Sequence, residues 1–85
     1  MEGWFLYIAH CRDGTYYTGI AKDVVKRIEE HNVGYRCRYT KFRRPLSLVY
    51  VERCCSYATA RAREKEVKDY SRKRKETLIG KTSRP

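Results

Sequence analysis

Apolar and aromatic residues run almost unbroken from Trp4 to Cys11 (WFLYIAHC), which predicts a strand buried on both faces. Thr15 to Ile20 reads as its antiparallel partner through a turn at Arg12-Asp13-Gly14, so the chain opens on a hairpin. Loop parity then decides where the tyrosines point, because side chains alternate along a strand. A two-residue loop at Asp13-Gly14 would pair Tyr17 with His10 and place Tyr7 on the other face. A three-residue loop, Arg12 to Gly14, pairs Tyr17 with Ala9 and puts both tyrosines on one side. We expect the latter, with Gly14 left-handed in a bulged turn.

The pattern then changes period. Asp23 can cap a helix running to about Asn32, with Val24, Val25 and Ile28 facing the core and Gly34 as its stop. Arg27 and His31 lie one turn apart, on the side away from those apolar residues. Residues 35 to 46 (YRCRYTKFRRPL) show no clean period and contain Pro45, so they read as a loop. Ser47 to Arg53 predicts a third strand, with Leu48, Tyr50 and Glu52 alternating against Val49 and Val51. Ser56 can cap a second long helix reaching about Tyr70, and Ser71 a short one that ends before Gly80. Residues 1 to 80 thus read as one domain and 81 to 85 as a short basic tail.

Within the helix from Ser56, residues Ala60, Glu64, Val67 and Ser71 fall on one stripe at i, i+4, i+7 and i+11. Glu64 is therefore directed inward or to the edge of the core. An inward carboxylate is costly without a partner, so it either binds a cation or forms a buried-edge salt bridge with an arginine. Position alone leaves both readings open. Glu66 and Asp69, set among lysines, read as ordinary surface charge.

Charge narrows the class of partner. The 85 residues carry 20 Lys and Arg against 10 Asp and Glu, a net charge of +10. Residues 1 to 35 hold four basic and five acidic residues, whereas residues 36 to 85 hold sixteen and five. A field of one sign over part of a small domain suits a polyanion, above all nucleic acid. Charge used only for solubility would mix its signs. The segment from 36 to 44 supplies Arg36, Arg38, Lys41, Arg43 and Arg44 with no acid, and is the expected nucleic-acid contact.

No apolar run reaches the ~18 residues of a membrane span, and the N-terminal stretch lacks the basic start and long apolar run of a secretory signal. A cytoplasmic protein is the expectation. Cys11, Cys37, Cys54 and Cys55 show no CxxC spacing and read as reduced thiols. A zinc site built from Cys37 and His31 lacks usual ligand spacing.

A surface histidine means little by itself. Here it accompanies a guanidinium that can fork onto a phosphate, beside strands offering two tyrosines. Phe5-Leu6-Tyr7, Tyr17-Thr18-Gly19, Arg27, His31-Asn32 with Gly34, and Ala60-Arg61-Ala62-Arg63-Glu64 together resemble the ordered motifs of the GIY-YIG nuclease superfamily. The likeness is to its small stand-alone bacterial members and spans nearly the whole chain. Phe5 and Leu6 stand where the family has Gly and Ile, and Thr18 replaces an Ile. No residue matches the late Asn that some members carry.

The resemblance implies an α+β fold, a three-stranded antiparallel sheet flanked by helices in the order β-β-α-β-α-α. It also implies hydrolysis of a nucleic-acid phosphodiester with one divalent metal, usually Mg²⁺. Carried over by position, Glu64 would bind the metal and Arg27 would stabilise charge on the phosphoryl oxygens. Tyr17 would deprotonate the attacking water, Tyr7 would orient water or substrate, and His31 would assist proton transfer or position the phosphate.

Chemistry is consistent with that division. A phenol has a reference pKa near ~10 and acts as a base at neutral pH only with help from nearby cations. A single carboxylate suits Mg²⁺, which keeps most of its waters and takes further oxygens from phosphate. With no cluster of acids, a two-metal mechanism is not expected.

Two other classes compete. A non-catalytic nucleic-acid-binding module, with Tyr35, Tyr39 and Phe42 stacking on bases, explains the charge equally well. It leaves unexplained the inward Glu64 and the gathering of two tyrosines, Arg27 and His31. An adaptor for an acidic protein has nothing specific in its favour. DNA is preferred to RNA as substrate, and structure or strandedness to base sequence.

Overall fold

A computed structural model describes residues 3–34 and 38–82. Strands β1 (Trp4–His10), β2 (Tyr16–Ala21) and β3 (Ser47–Cys54) form one antiparallel sheet in the order β2-β1-β3. Helices α1 (Val24–Asn32), α2 (Arg38–Lys41), α3 (Tyr57–Lys68) and α4 (Arg72–Thr82) cover it. The α+β class and the expected order hold, with α2 added inside a stretch that reads as loop. β1 is the central strand, which accounts for its continuous apolar run.

The hairpin settles the parity question. Ala9 pairs with Tyr17 and Tyr7 with Gly19, so both tyrosines emerge on one face. Cys11 accepts from the Gly14 amide and donates to the Thr15 carbonyl, closing a loop of Arg12, Asp13 and Gly14. Gly14 has φ +90°, a left-handed conformation that a side chain would strain.

The two sheet faces bury different clusters. Leu6, Ile8, Tyr50 and Cys54 pack with Ala60 and Val67 of α3, and Leu78 and Ile79 of α4 close over them. On the opposite face Tyr7, Ala21 and Val24 pack with Phe5, Tyr17 and Ile28 beneath α1. Helices α1 and α3 begin as expected. Asp23 accepts from the Lys26 amide and Ser56 from the Thr59 amide, satisfying donors that a helix start leaves open.

Four expectations need correction. Residues 38–41 are helical, so the segment from 35 to 46 is not all loop. Val25 is 64% exposed, and the buried face of α1 is Val24, Ile28 and His31 at i, i+4 and i+7. In β3 a bulge opposite Ile8 and Ala9 sets Leu48 against Ala9, so Leu48 shares the face of Val51 rather than that of Tyr50. Helix α4 runs through Gly80 to Thr82. A mid-helix glycine costs only ~1 kcal/mol, and Leu78 and Ile79 anchor that turn to the core.

Glu52 and Arg63 form the forked ion pair that helps fix α3 on the sheet, at 2.8 Å and 3.0 Å, while the Tyr50 hydroxyl donates to Glu52. Burial pushes against ionisation of Glu52, yet Arg63 and Tyr50 outweigh it and hold the carboxyl below its ordinary range. Burial and Glu52 push the Tyr50 phenol up to about 12.

Thr18 faces Ile8 on the α3 side, buried, with its hydroxyl lacking any hydrogen-bond partner among the described residues. A hydroxyl desolvated without a partner costs about 1 to 3 kcal/mol. Thr18→Val keeps the shape and removes that cost. We expect a gain of about 1 kcal/mol, visible as a melting temperature raised by about 4 to 8 °C. An unchanged or lowered melting temperature would contradict the assignment of an orphaned hydroxyl.

Candidate active site

Sheet order makes β2 an edge, and the polar cleft of this molecule wraps round it. Tyr7 stands opposite Gly19, and its phenol lies across the space that a side chain would fill. A Cβ added to Gly19 would sit 2.6 Å from Tyr7 Oη, so no larger residue fits there without displacing that hydroxyl. Tyr17 lies beside it, the two ring centroids 6.3 Å apart.

His31 is 1% exposed, not on the solvent side as the reading of α1 expects. Helical spacing from Val24 explains the difference, since position i+7 returns to the starting face. His31 Nε2 is 3.1 Å from Tyr7 Oη, and Nδ1 is 2.9 Å from Thr40 Oγ1. Its ring also meets that of Tyr17 edge-on at 5.0 Å. A buried chain of polar groups thus runs from Tyr7 through the imidazole to Thr40.

Arg27 occupies the rim of the same helix. Its guanidinium Nη1 donates to the Ile20 carbonyl at 3.1 Å and its Nε lies 3.6 Å from Glu30, which holds the head at the wall of the cleft. Glu64 approaches from α3 across the edge of β2. Its side chain is 19% exposed and its ion pair is with Lys68 Nζ at 3.4 Å, a more exposed partner. The forked arginine pair that sequence allows for Glu64 belongs instead to Glu52 and Arg63.

These side chains converge. A cleft of about 340 Å³ is lined by Tyr7, Tyr17, Arg27 and Glu64, together with Trp4, Tyr57 and Arg61. His31 stands directly behind Tyr7 rather than in the lining. A larger hollow of about 530 Å³ is mostly apolar, walled by Phe5, Val24, Val25, Leu48 and Val51 with Lys22 and Asp23. Among the described residues no three His, Cys, Asp or Glu side chains gather as a metal cluster.

The basic segment behaves differently from a free phosphate-binding loop. Arg36 lies outside the described residues, as do Tyr35 and Cys37. Arg38 and Lys41 are exposed, and Phe42 is 83% exposed under the Lys41 ammonium. Arg43 pairs with Asp13 at 2.9 Å, and Arg44 donates to the carbonyls of Lys41 and Asn32. These two arginines tie the loop to the hairpin turn and to α1. None of the described basic residues of this segment lines the cleft.

Sequence reasoning passed over Thr40, Trp4, Tyr57 and Arg61. Tyr57, Arg61 and Glu64 share one face of α3 at i, i+4 and i+7, a signal that was present in the spacing. Thr40 carries none, because its contact with His31 depends on how the intervening segment folds back.

Comparison with known proteins shows the family. The GIY-YIG catalytic domain model matches residues 3–77. A UPF0213 protein of Staphylococcus aureus is 49% identical over 79 residues, covering 93% of this chain and 96% of its own length. A UPF0213 protein of Staphylococcus saprophyticus is 48% identical over the same shares. The solution structure of a UPF0213 protein from Bacillus halodurans superposes with a TM-score of 0.62 at 39% identity, covering 96% of this chain and 87% of that one. A solution structure from E. faecalis gives 0.65 at 29% identity, covering 95% and 86%. No helix of the described residues is long and apolar enough to cross a membrane. With the family model spanning nearly all of the sheet and helices that build the cleft, the chain belongs to the GIY-YIG nuclease family, among its small UPF0213 proteins.

Proposed function

We propose that the protein is an endonuclease that hydrolyses nucleic-acid phosphodiester bonds, DNA in preference to RNA, with one Mg²⁺ held by Glu64. The observation that carries this reading is the cleft itself: four elements, β1, β2, α1 and α3, place Tyr7, Tyr17, Arg27 and Glu64 around one polar opening. A merely basic binding surface has no need of that convergence.

The donor set fits the ion. Glu64 pairs with Lys68 through Oε2, leaving its other oxygen for a ligand, and a lone carboxylate suits a cation that dehydrates reluctantly. When bound, Mg²⁺ would offset charge on a phosphoryl oxygen. Arg27, anchored by the Ile20 carbonyl, would meet the same phosphate from the opposite wall and stabilise charge as it develops. The position of His31 supports a change to the proton path expected from sequence. Tyr7 Oη already contacts an imidazole nitrogen that can accept its proton, so Tyr7 takes the base role and Tyr17 orients the water. This path uses the tautomer in which His31 Nδ1–H donates to Thr40 Oγ1, which leaves Nε2 to accept from Tyr7.

The test is a panel of end-labelled single-stranded, duplex, flapped and RNA substrates, each with Mg²⁺ and with chelator. Cleavage that requires Mg²⁺ is expected on at least one nucleic acid. Tight binding with no cleavage of any substrate would identify a non-catalytic binding module instead.

A further inference from the structure

Beside the candidate cleft lies an aromatic shelf that the proposed chemistry does not use. Trp4 and Tyr57 meet edge to face with centroids 4.8 Å apart, and both line the cleft. Tyr57 is 47% exposed at the first position of α3 and lies outside the core cluster that takes in part of Trp4. Cations flank the shelf: Lys22 Nζ lies 5.5 Å from the Trp4 ring, and Arg61 donates to the Tyr57 hydroxyl at 3.0 Å with its guanidinium 5.8 Å from that ring.

Helix α3 aligns these groups with the site. Tyr57, Arg61 and Glu64 follow one another at i, i+4 and i+7, so a ring, a cation and the proposed metal ligand lie in a row. Seven residues of helix span roughly 10 Å, or about three stacked base steps at ~3.4 Å each. Aromatic rings interleaved with cations are the pattern by which proteins hold unpaired nucleotides: the rings stack on bases and the cations follow the phosphates. A base inside a duplex already has neighbours on both of its faces. It cannot offer one to the shelf.

We infer that Trp4 and Tyr57 form a stacking platform for an unpaired base of the substrate strand, with Arg61 and Lys22 on the adjoining phosphates, so that the site takes single strands or single-stranded branches. This inference rests on the nuclease reading for its substrate, but it is tested without cleavage. Trp4 is the single tryptophan of the chain, and its fluorescence reports directly on stacking.

The wild-type protein in chelator is titrated with three probes of equal length and charge: oligothymidylate, its abasic analogue, and a blunt duplex hairpin. Oligothymidylate should quench Trp4, and the other two should quench it far less. Tyr57→Ala should weaken oligothymidylate binding about tenfold, within the range measured for one base–aromatic stack, and leave duplex binding within about twofold. Tyr57→Phe, which keeps the ring, should restore most of the affinity. Equal quenching by all three probes would reduce the shelf to a charge effect and overturn the inference. So would absence of quenching by any of them, or unchanged affinity in a folded Tyr57→Ala protein. Selective quenching without any Mg²⁺-dependent cleavage would keep the platform and remove the nuclease, whereas cleavage without quenching would do the reverse.

Discussion

Glu64→Gln should abolish Mg²⁺-dependent cleavage while leaving nucleic-acid binding intact or tighter. The substitution keeps size and removes one negative charge that faces the phosphates, so affinity has no reason to fall. Cleavage is lost because a neutral amide is a poor ligand for a hard cation. Stability separates this role from a structural one. The ion-pair partner of Glu64 is the exposed Lys68, and pairs of that kind contribute about 0 to 1 kcal/mol, so the melting temperature should barely move. The contrast is internal to the molecule. Glu52→Gln breaks a part-buried fork to Arg63 and should lower stability by more, with no direct effect on the cleft. Single-turnover cleavage, fluorescence anisotropy and thermal melts of the two variants together decide the matter. A Glu64→Gln protein that cuts at the wild-type rate would end the metal-ligand assignment.

What was legible in the sequence follows the range of the interactions concerned. The parity of the first hairpin could be read because three residues, Arg12 to Gly14, determine it, and Gly14 supplies the left-handed conformation. The caps at Asp23 and Ser56 could be read because each acts on an amide three residues away. Glu64 stood out because a helix repeats strictly and a carboxylate on an apolar stripe breaks the repeat. The side taken by His31 is ambiguous in the sequence: counting Val25 into the core rotates the inferred face of α1, whereas the row Val24, Ile28 and His31 at i, i+4 and i+7 is the one that β1 and α2 cover. The bulge in β3 and the capture of Arg43 by Asp13 depend on strands and turns that are distant in sequence. No local pattern marks them. Arg43 and Arg44 illustrate a general hazard in reading basic segments, since charge by itself does not tell a phosphate contact from an internal pin.

Tyr7→Phe should lower the cleavage rate by about 10² to 10⁴, the usual worth of a positioned general base, with binding changed by less than about threefold. The argument begins with burial. Tyr7 is only 1% exposed, although it borders the cleft, and its hydroxyl touches His31 Nε2 at 3.1 Å. A phenol in that position can take a proton from water only as it passes its own to the imidazole, which makes the pair a single relay rather than two independent groups. Loss of the hydroxyl also removes a partner from buried His31, so a stability decrease of about 1 to 3 kcal/mol is expected alongside. Rate and stability must therefore be measured on the folded fraction. Tyr17→Phe is the control that distinguishes the two tyrosines. Its ring meets His31 edge-on at 5.0 Å, and if it only orients the water its loss should slow cleavage far less than that of Tyr7. Thr40→Val should fall between them, because it removes the hydroxyl beside Nδ1 that the proposed tautomer uses without removing the relay. If Tyr17→Phe shows the larger rate loss while Tyr7→Phe cuts nearly normally, the base is Tyr17 and the contact between Tyr7 and His31 serves packing alone.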